Sequence, residues 1–279
     1  MALNTPDDRS GESEREPVMS ANRRFAVGLA RAFGGAVIFS LPILMTMEMW
    51  YLGFYMDRLR LALFLLLVIP LLVGLSYYSG FEDTTSWKED IVDAFVAYAV
   101  GFVAAGGVLA LFSVIDTNMP VSEVVGKVSL QAIPGSIGAM LAQSQLGIHK
   151  QEQERKKREA GYGGEIFLMA VGALFLALNL APTEEMLLIG YKMTEWHAIG
   201  LAFVSMLIIH AFVYTLQFRG QADLPPGTPF WSAFLRFTVV GYAIALLISF
   251  YTLWTFGKTG GMSAEQVIMA TVVLGFPAA

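Results

Sequence analysis

Glu48 lies in an otherwise apolar run from Ala32 to Met56, and Glu184 and Glu185 lie in a second run from Ile166 to Tyr191. An ionisable group inside such a run is costly in hydrocarbon and is found facing a bundle interior or a wet cavity. In both runs the carboxylate falls about two turns, roughly 10 Å, from the end of the run. Two carboxylates at matching depth can ligate a cation between them, or share a proton if they are close. Glu48 and Glu185 are therefore the candidate metal or cation ligands, with Glu184 beside them. Thr46, Thr183 and Asn179 add neutral oxygens. Pro42 and Pro182 precede the glutamates and predict helix kinks that free backbone carbonyls next to the carboxylates. The plainer alternatives are interfacial glutamates that reach water and proline kinks that serve packing.

Other chemistry is poorly represented. The chain has no cysteine, which excludes disulfides and thiolate sites. Its three histidines, His149, His197 and His210, form no HExxH pair, and there is no GxSxG, P-loop or GxGxxG. Without a nucleophile, a metal motif or a cofactor fingerprint, the chain reads as a non-enzyme needing no cofactor beyond a bound cation. The basic run Arg155-Lys156-Lys157-Arg158 is short and interleaved with Glu152, Glu154 and Glu159, which argues against nucleic acid.

The elements that must position the glutamates are transmembrane helices. Of the 279 residues 56% are hydrophobic and 15% charged, and the charges gather between long apolar runs. A soluble domain carries about a quarter charged residues. The pattern predicts an all-α polytopic membrane protein with spans near 26–53, 59–79, 92–115, 121–147, 164–191, 197–218, 230–256 and 264–279. The eighth is short, and the fourth, which it matches, runs on past its proline, so the eighth reads as truncated. The chain divides into a disordered tail (1–24), a first four-helix repeat (25–147), a basic linker (148–163) and a second four-helix repeat (164–279). Thirteen Lys and Arg residues fall on the side of the N-terminus and five on the other, which predicts cytoplasmic termini. Trp50, Tyr51, Tyr55, Tyr191 and Trp196 then lie near the outer interface as anchors.

The repeat is read from self-alignment. Residues 35–81 slid onto 172–218 give ten identical pairs, among them Thr46/Thr183, Glu48/Glu185, Met49/Met186 and Gly53/Gly190. The later spans align with a slightly larger offset, Met119 on Met262 and Pro134 on Pro277. An even number of spans per copy makes this the parallel kind of repeat, with both copies entering from one side.

Among the remaining polar residues, His210 reads as a neutral histidine bonded to a neighbouring helix. Gln131, Gln143 and Gln145 suit either a wet path or helix–helix contact. Asp93 and Arg236 stand at equivalent ends of the third and seventh spans and predict a structural ion pair. Gly28-Ala32-Ala36, Ala97-Gly101-Ala105 and Gly135-Ala139 are close-packing stripes.

At Leu41-Pro42-Ile43-Leu44-Met45-Thr46-Met47-Glu48-Met49-Trp50 and Ala181-Pro182-Thr183-Glu184-Glu185 the chain resembles a bacterial family of integral membrane proteins of unknown function, from about residue 25 to the end. That resemblance implies a multi-pass protein of the bacterial inner membrane and no activity. In layout alone the chain is similar to store-operated calcium channels, whose pore helix carries a glutamate near its outer end and basic residues at its inner end. Here Glu48 and the cluster Arg23, Arg24 and Arg31 match that layout, while the prolines and the eight spans depart from it. The expectation is passage of a cation, calcium being one candidate, by a homo-oligomer in the lipid bilayer. The competing classes are a scaffold or sensor with structural glutamates and an intramembrane enzyme.

Overall fold

The computed structural model describes residues 21–79, 87–146, 161–215, 231 and 234–279. Residues 1–20 of the predicted tail and most of the predicted linker lie outside these residues, while residues 21–24, expected in the tail, open the first helix. Among the described residues every regular element is helical. The helices are α1 (Ala21–Leu44), α2 (Met47–Tyr55), α3 (Arg58–Ser79), α4 (Trp87–Leu111), α5 (Val121–Leu146), α6 (Gly161–Leu180), α7 (Glu184–Lys192), α8 (Glu195–Thr215), α9 (Val240–Thr255), which continues a π-helical turn Phe234–Val239, and α10 (Ala264–Ala278). In hydrocarbon the backbone has no water to bond, so helices that satisfy themselves are the available answer to these apolar sequences.

Among the described residues, seven helical stretches are long and apolar enough to cross a membrane. The expected eighth span is α10, whose 15 residues fall short of a crossing. The expected first and fifth spans are each divided. Residues 26–53 form α1 and α2 with a break at Met45–Thr46, and residues 164–191 form α6 and α7 with a break at Ala181–Thr183. The cause is local. Pro42 lies within the last turn of α1, and Pro182 stands in the second break. Thr46 and Thr183 then take extended backbone, with ψ of 115° and 141°, and open new helices. The expected kinks are thus helix breaks.

α5 is the axis of the first half. Its spanning window is 78% buried, against no more than 39% for any other. α1, α2, α3 and α4 all pack on it, and α6, α7, α8 and α9 pack on α10 in the same way. Small residues allow this. Gly101 of α4 lies against Ala132 and Ser136, and Gly135 of α5 lies against Gly101. Ala32, Ala36, Ala97, Ala105 and Ala139 are buried, as their four-residue spacing predicts. Large apolar side chains such as Ile38, Leu66, Val103 and Leu247 point outwards, which suits a lipid-facing surface.

The halves meet through aromatic contacts. Phe39 of α1 meets Phe175 of α6 edge to face at 6.0 Å. Phe64 of α3 meets Tyr251 and Phe256 at 6.2 and 6.3 Å. Tyr78 meets Phe167 at 5.9 Å. Arg60 donates from Nη1 to the Trp254 carbonyl at 2.6 Å, and its guanidinium carbon lies 4.8 Å from the indole centroid. A cation over indole contributes roughly 0.5–2 kcal/mol according to how dry the site is.

His210 bonds across helices, as expected: its Nδ1 is 3.0 Å from Thr238 Oγ1 in the π-helical turn. Arg236 lies with its guanidinium over the Tyr162 ring at 5.8 Å, while the Tyr162 hydroxyl donates to the Arg236 carbonyl. Arg236 is thus tied into the second half through α6. Gln131 is fully buried on α5, and neither its amide nitrogen nor its oxygen has a hydrogen-bond partner among the described residues. The same position of α10, its eleventh residue, is Leu274. Gln131→Leu is expected to raise the unfolding temperature, by relieving a desolvated amide that costs about 1–3 kcal/mol. Thermal unfolding in detergent checks this, and a lower unfolding temperature would mean that Gln131 has an ordered partner.

Candidate functional site

The two helix breaks put the carboxylates in matching places. α2 and α7 are both nine residues long. Glu48 is the second residue of α2, and Glu185 is the second residue of α7, with Glu184 before it. Thr46 and Thr183 are the N-cap residues, and neither makes a side-chain cap bond. The first-turn N–H groups of a helix carry a partial positive charge, and a carboxylate there is stabilised by about 0.3–1 kcal/mol. Glu48 and Glu185 thus stand at the end of a short helix where its N–H groups point.

Their helical setting differs from expectation. α1 alone holds a 20-residue apolar stretch, Phe25–Leu44, and α6 holds another, Gly161–Leu180. At about 1.5 Å per residue each covers the roughly 30 Å of hydrocarbon before the break is reached. Glu48 and Glu185 therefore stand in short separate helices that each follow a membrane-length stretch, rather than inside one continuous helix. Glu48 is half-buried, and Glu184 and Glu185 are exposed.

The break carbonyls are already engaged. Thr46 Oγ1 donates to the Pro42 carbonyl at 2.6 Å, and Thr183 Oγ1 donates to the Leu180 carbonyl at 2.8 Å. Thr46 N bonds the Ile43 carbonyl at 3.0 Å. Trp50 turns its indole inward and donates from Nε1 to the Leu44 carbonyl at 2.7 Å, so it staples the break. Asn179 donates its amide to the Phe175 carbonyl within α6. The threonine oxygens keep lone pairs, but the carbonyls expected as ligands are held by the chain's own donors. Among the described residues no group of three or more His, Asp or Glu is placed to hold a metal ion. A cation here would be met by one or two carboxylates and by water.

Tyr55 stands at the end of α2. Its phenol is held above the ordinary tyrosine value, first by burial and then by the Glu184 carboxylate of α7.

Lys127 is one of the five Lys and Arg residues that the charge pattern puts on the side away from the N-terminus. Its side chain is in fact nearly buried on α5 and pairs with Glu123 at 2.7 Å. Its Nζ also reaches the Val114 carbonyl at 3.3 Å and Met119 Sδ at 3.6 Å. The signal was present as Glu and Lys four residues apart on one helix, a spacing that puts them side by side.

Among the described residues, seven membrane-length apolar helices, packed through small residues and clad in exposed apolar side chains, define a polytopic integral membrane protein. The chain belongs to the family described as putative integral membrane protein (DUF2391), whose family model matches residues 28–279. No curated protein and no solved structure matches it.

Proposed function

We propose that this protein collects a cation at the end of the bundle that carries α2 and α7 and passes it across the membrane. The observation that carries the reading is the common register of Glu48 and Glu185, each at the second position of a nine-residue helix that follows a break. Local charge focused on such a rim raises the concentration of cations there. Carboxylates backed by water and threonine oxygens suit a hydrated divalent ion such as calcium, which takes six to eight oxygens, better than a dehydrated metal held by a dedicated cage.

The same reading takes the molecule as two parallel four-helix repeats with eight crossings, both termini cytoplasmic, in a bacterial inner membrane. Helix boundaries support it. α2 and α7 start at Met47 and Glu184, α3 and α8 at Arg58 and Glu195, and α5 and α10 at Val121 and Ala264. The first two pairs keep one spacing in the chain, and the third keeps that of the later spans. Gly53 packs on Lys127 of α5, and Gly190 packs on Ala270, which holds the same position in α10. A homo-oligomer around the glutamate-bearing ends would complete a path.

A second reading, a scaffold without transport, is favoured by the internal use of the break carbonyls and by the fit of the glutamates to helix N-termini. Flux in liposomes separates the two. Glu48→Gln and Glu185→Gln are expected to lower cation flux about tenfold or more, the scale on which focused charge acts, with thermal unfolding little changed. Flux at the wild-type level in both variants would defeat transport past these carboxylates. A loss of stability in both, with no flux in the parent protein, would establish the scaffold.

A further inference from the structure

We infer that the pocket between α2, the segment after α4 and the start of α5 is a binding site for an organic ammonium group. The inference does not depend on ion passage past Glu48 and Glu185. The pocket has a volume of about 490 Å³, within the roughly 300–1,000 Å³ of small-molecule sites. Four aromatic rings line it: Trp50, Tyr51 and Phe54 from α2, and Phe112 from beyond α4. Glu123 and Lys127 line its polar side, with Ser113 and Val114 beside Phe112.

Donors and acceptors in the pocket decide the sign of the ligand. The Trp50 N–H is spent on the Leu44 carbonyl. Lys127 has three donors, and its contacts to Glu123, the Val114 carbonyl and Met119 Sδ engage all of them. An anion would therefore find few donors. A carboxylate offers about four acceptor positions, and the Lys127 bond at 2.7 Å goes to one oxygen of Glu123. Aromatic faces attract cations, most strongly when water is excluded. What remains on offer is carboxylate oxygen, two hydroxyls and π-faces, which suits an ammonium carried on carbon.

The pocket is also held in shape. Ser113 is the one non-glycine among the described residues with positive φ, at 56°. A non-glycine residue in this conformation is strained, and such strain gathers at functional sites. It reverses the chain after α4, so that Ser113 N bonds the Ala110 carbonyl and Val114 N bonds the Leu109 carbonyl. That turn presents Phe112 to the pocket and the Val114 carbonyl to Lys127. The corresponding turn after α9 uses Gly257, at φ 73°, and α10 has Ala270 where α5 has Lys127. The lysine-based pocket is thus peculiar to the first half.

The ammonium group has two possible sources, a lipid headgroup or a free solute. Isothermal titration of the full-length protein in nanodiscs of pure phosphatidylglycerol tests the site with choline as the probe. Saturable choline binding is expected, with none for 3,3-dimethylbutan-1-ol, its uncharged isostere. Phe112→Leu and Tyr51→Leu, which keep apolar bulk at exposed positions, are expected to weaken choline binding about tenfold with unchanged thermal unfolding. In phosphatidylcholine nanodiscs, loss of choline binding would identify the headgroup as the occupant, and its persistence a free ammonium solute. Absence of saturable binding in phosphatidylglycerol, equal binding of the uncharged isostere, or choline affinity unchanged in both leucine variants would overturn the assignment.

Discussion

Gly53→Ala is expected to displace α2 from α5 and to destabilise the protein by about 3 kcal/mol, the upper end of what overpacking a tight contact costs. A Cβ at Gly53 would stand 2.6 Å from Lys127 Cα and 2.9 Å from Lys127 N. Both are backbone atoms of the most buried helix, so no side chain can swing away. Gly126→Ala meets the same obstacle from the other side, because its Cβ would overlap the Gly53 carbonyl oxygen. Gly190→Ala should be milder, since its nearest neighbour, Ala270 N, is 3.3 Å away. Gly34→Ala is the control. Nothing lies within 4 Å of a Cβ there, and alanine in a helix interior is favoured over glycine by roughly 0.5–1 kcal/mol. Thermal unfolding of the four variants in one detergent gives the order. A Gly53→Ala protein as stable as Gly34→Ala would mean that α2 is not seated on α5.

The position of α2 matters because it carries both candidate sites, Glu48 at its start and the aromatic wall of the pocket along its length. Sequence patterning revealed that a glutamate sits near the end of a long apolar run, but not that the run is broken there. Hydropathy is blind to the difference, since α1 and α2 are both apolar enough to be buried. The local signals of a new helix were nevertheless present. Thr46 and Thr183 are good N-cap residues, acidic residues follow within the first turn, and Pro42 and Pro182 stand just before. Read as kinks, they left the glutamates on one continuous helix, whereas each stands on a short helix of its own.

Other features were legible in kind and not in setting. His210 bonds a neighbouring helix, but its partner Thr238 lies in a π-helical turn that no periodicity reveals. Gln131 reads in sequence as either a wet path or helix–helix contact, and its lack of a partner depends on what the neighbouring helices bring to α5. The close approach of Gly53 to Gly126 joins residues far apart in the chain, and only their small size was visible. Helix existence follows from composition over twenty-residue windows, whereas each of these settings follows from a few non-local atoms.

Lys127→Ala is expected to destabilise the protein by about 3 kcal/mol, the lower end of the range for stranding one partner of a buried pair. The Lys127 side chain is 10% exposed and that of Glu123 is 19% exposed, so water replaces little of what is lost. The lysine also holds the Val114 carbonyl, and with it the turn that shapes the pocket. The pair exists because of what precedes α5. In α10 the third residue, Gln266, closes a capping box with Ser263, accepting from Ser263 N at 2.9 Å while its own N–H reaches Ser263 Oγ at 3.2 Å. Ahead of α5 the corresponding residue is Pro120, which has no N–H to offer. The side chain at the third position, Glu123, is freed from capping and turns to Lys127 one turn along. The double variant Glu123→Gln with Lys127→Ala installs the residue types that α10 carries at these positions, Gln266 and Ala270. It leaves no uncompensated charge, so it should be more stable than Lys127→Ala alone. In a double-mutant cycle this appears as a coupling of about 1–2 kcal/mol between contacting residues. Purely additive effects, or a double variant less stable than either single one, would show that the pair does not act as a buried unit.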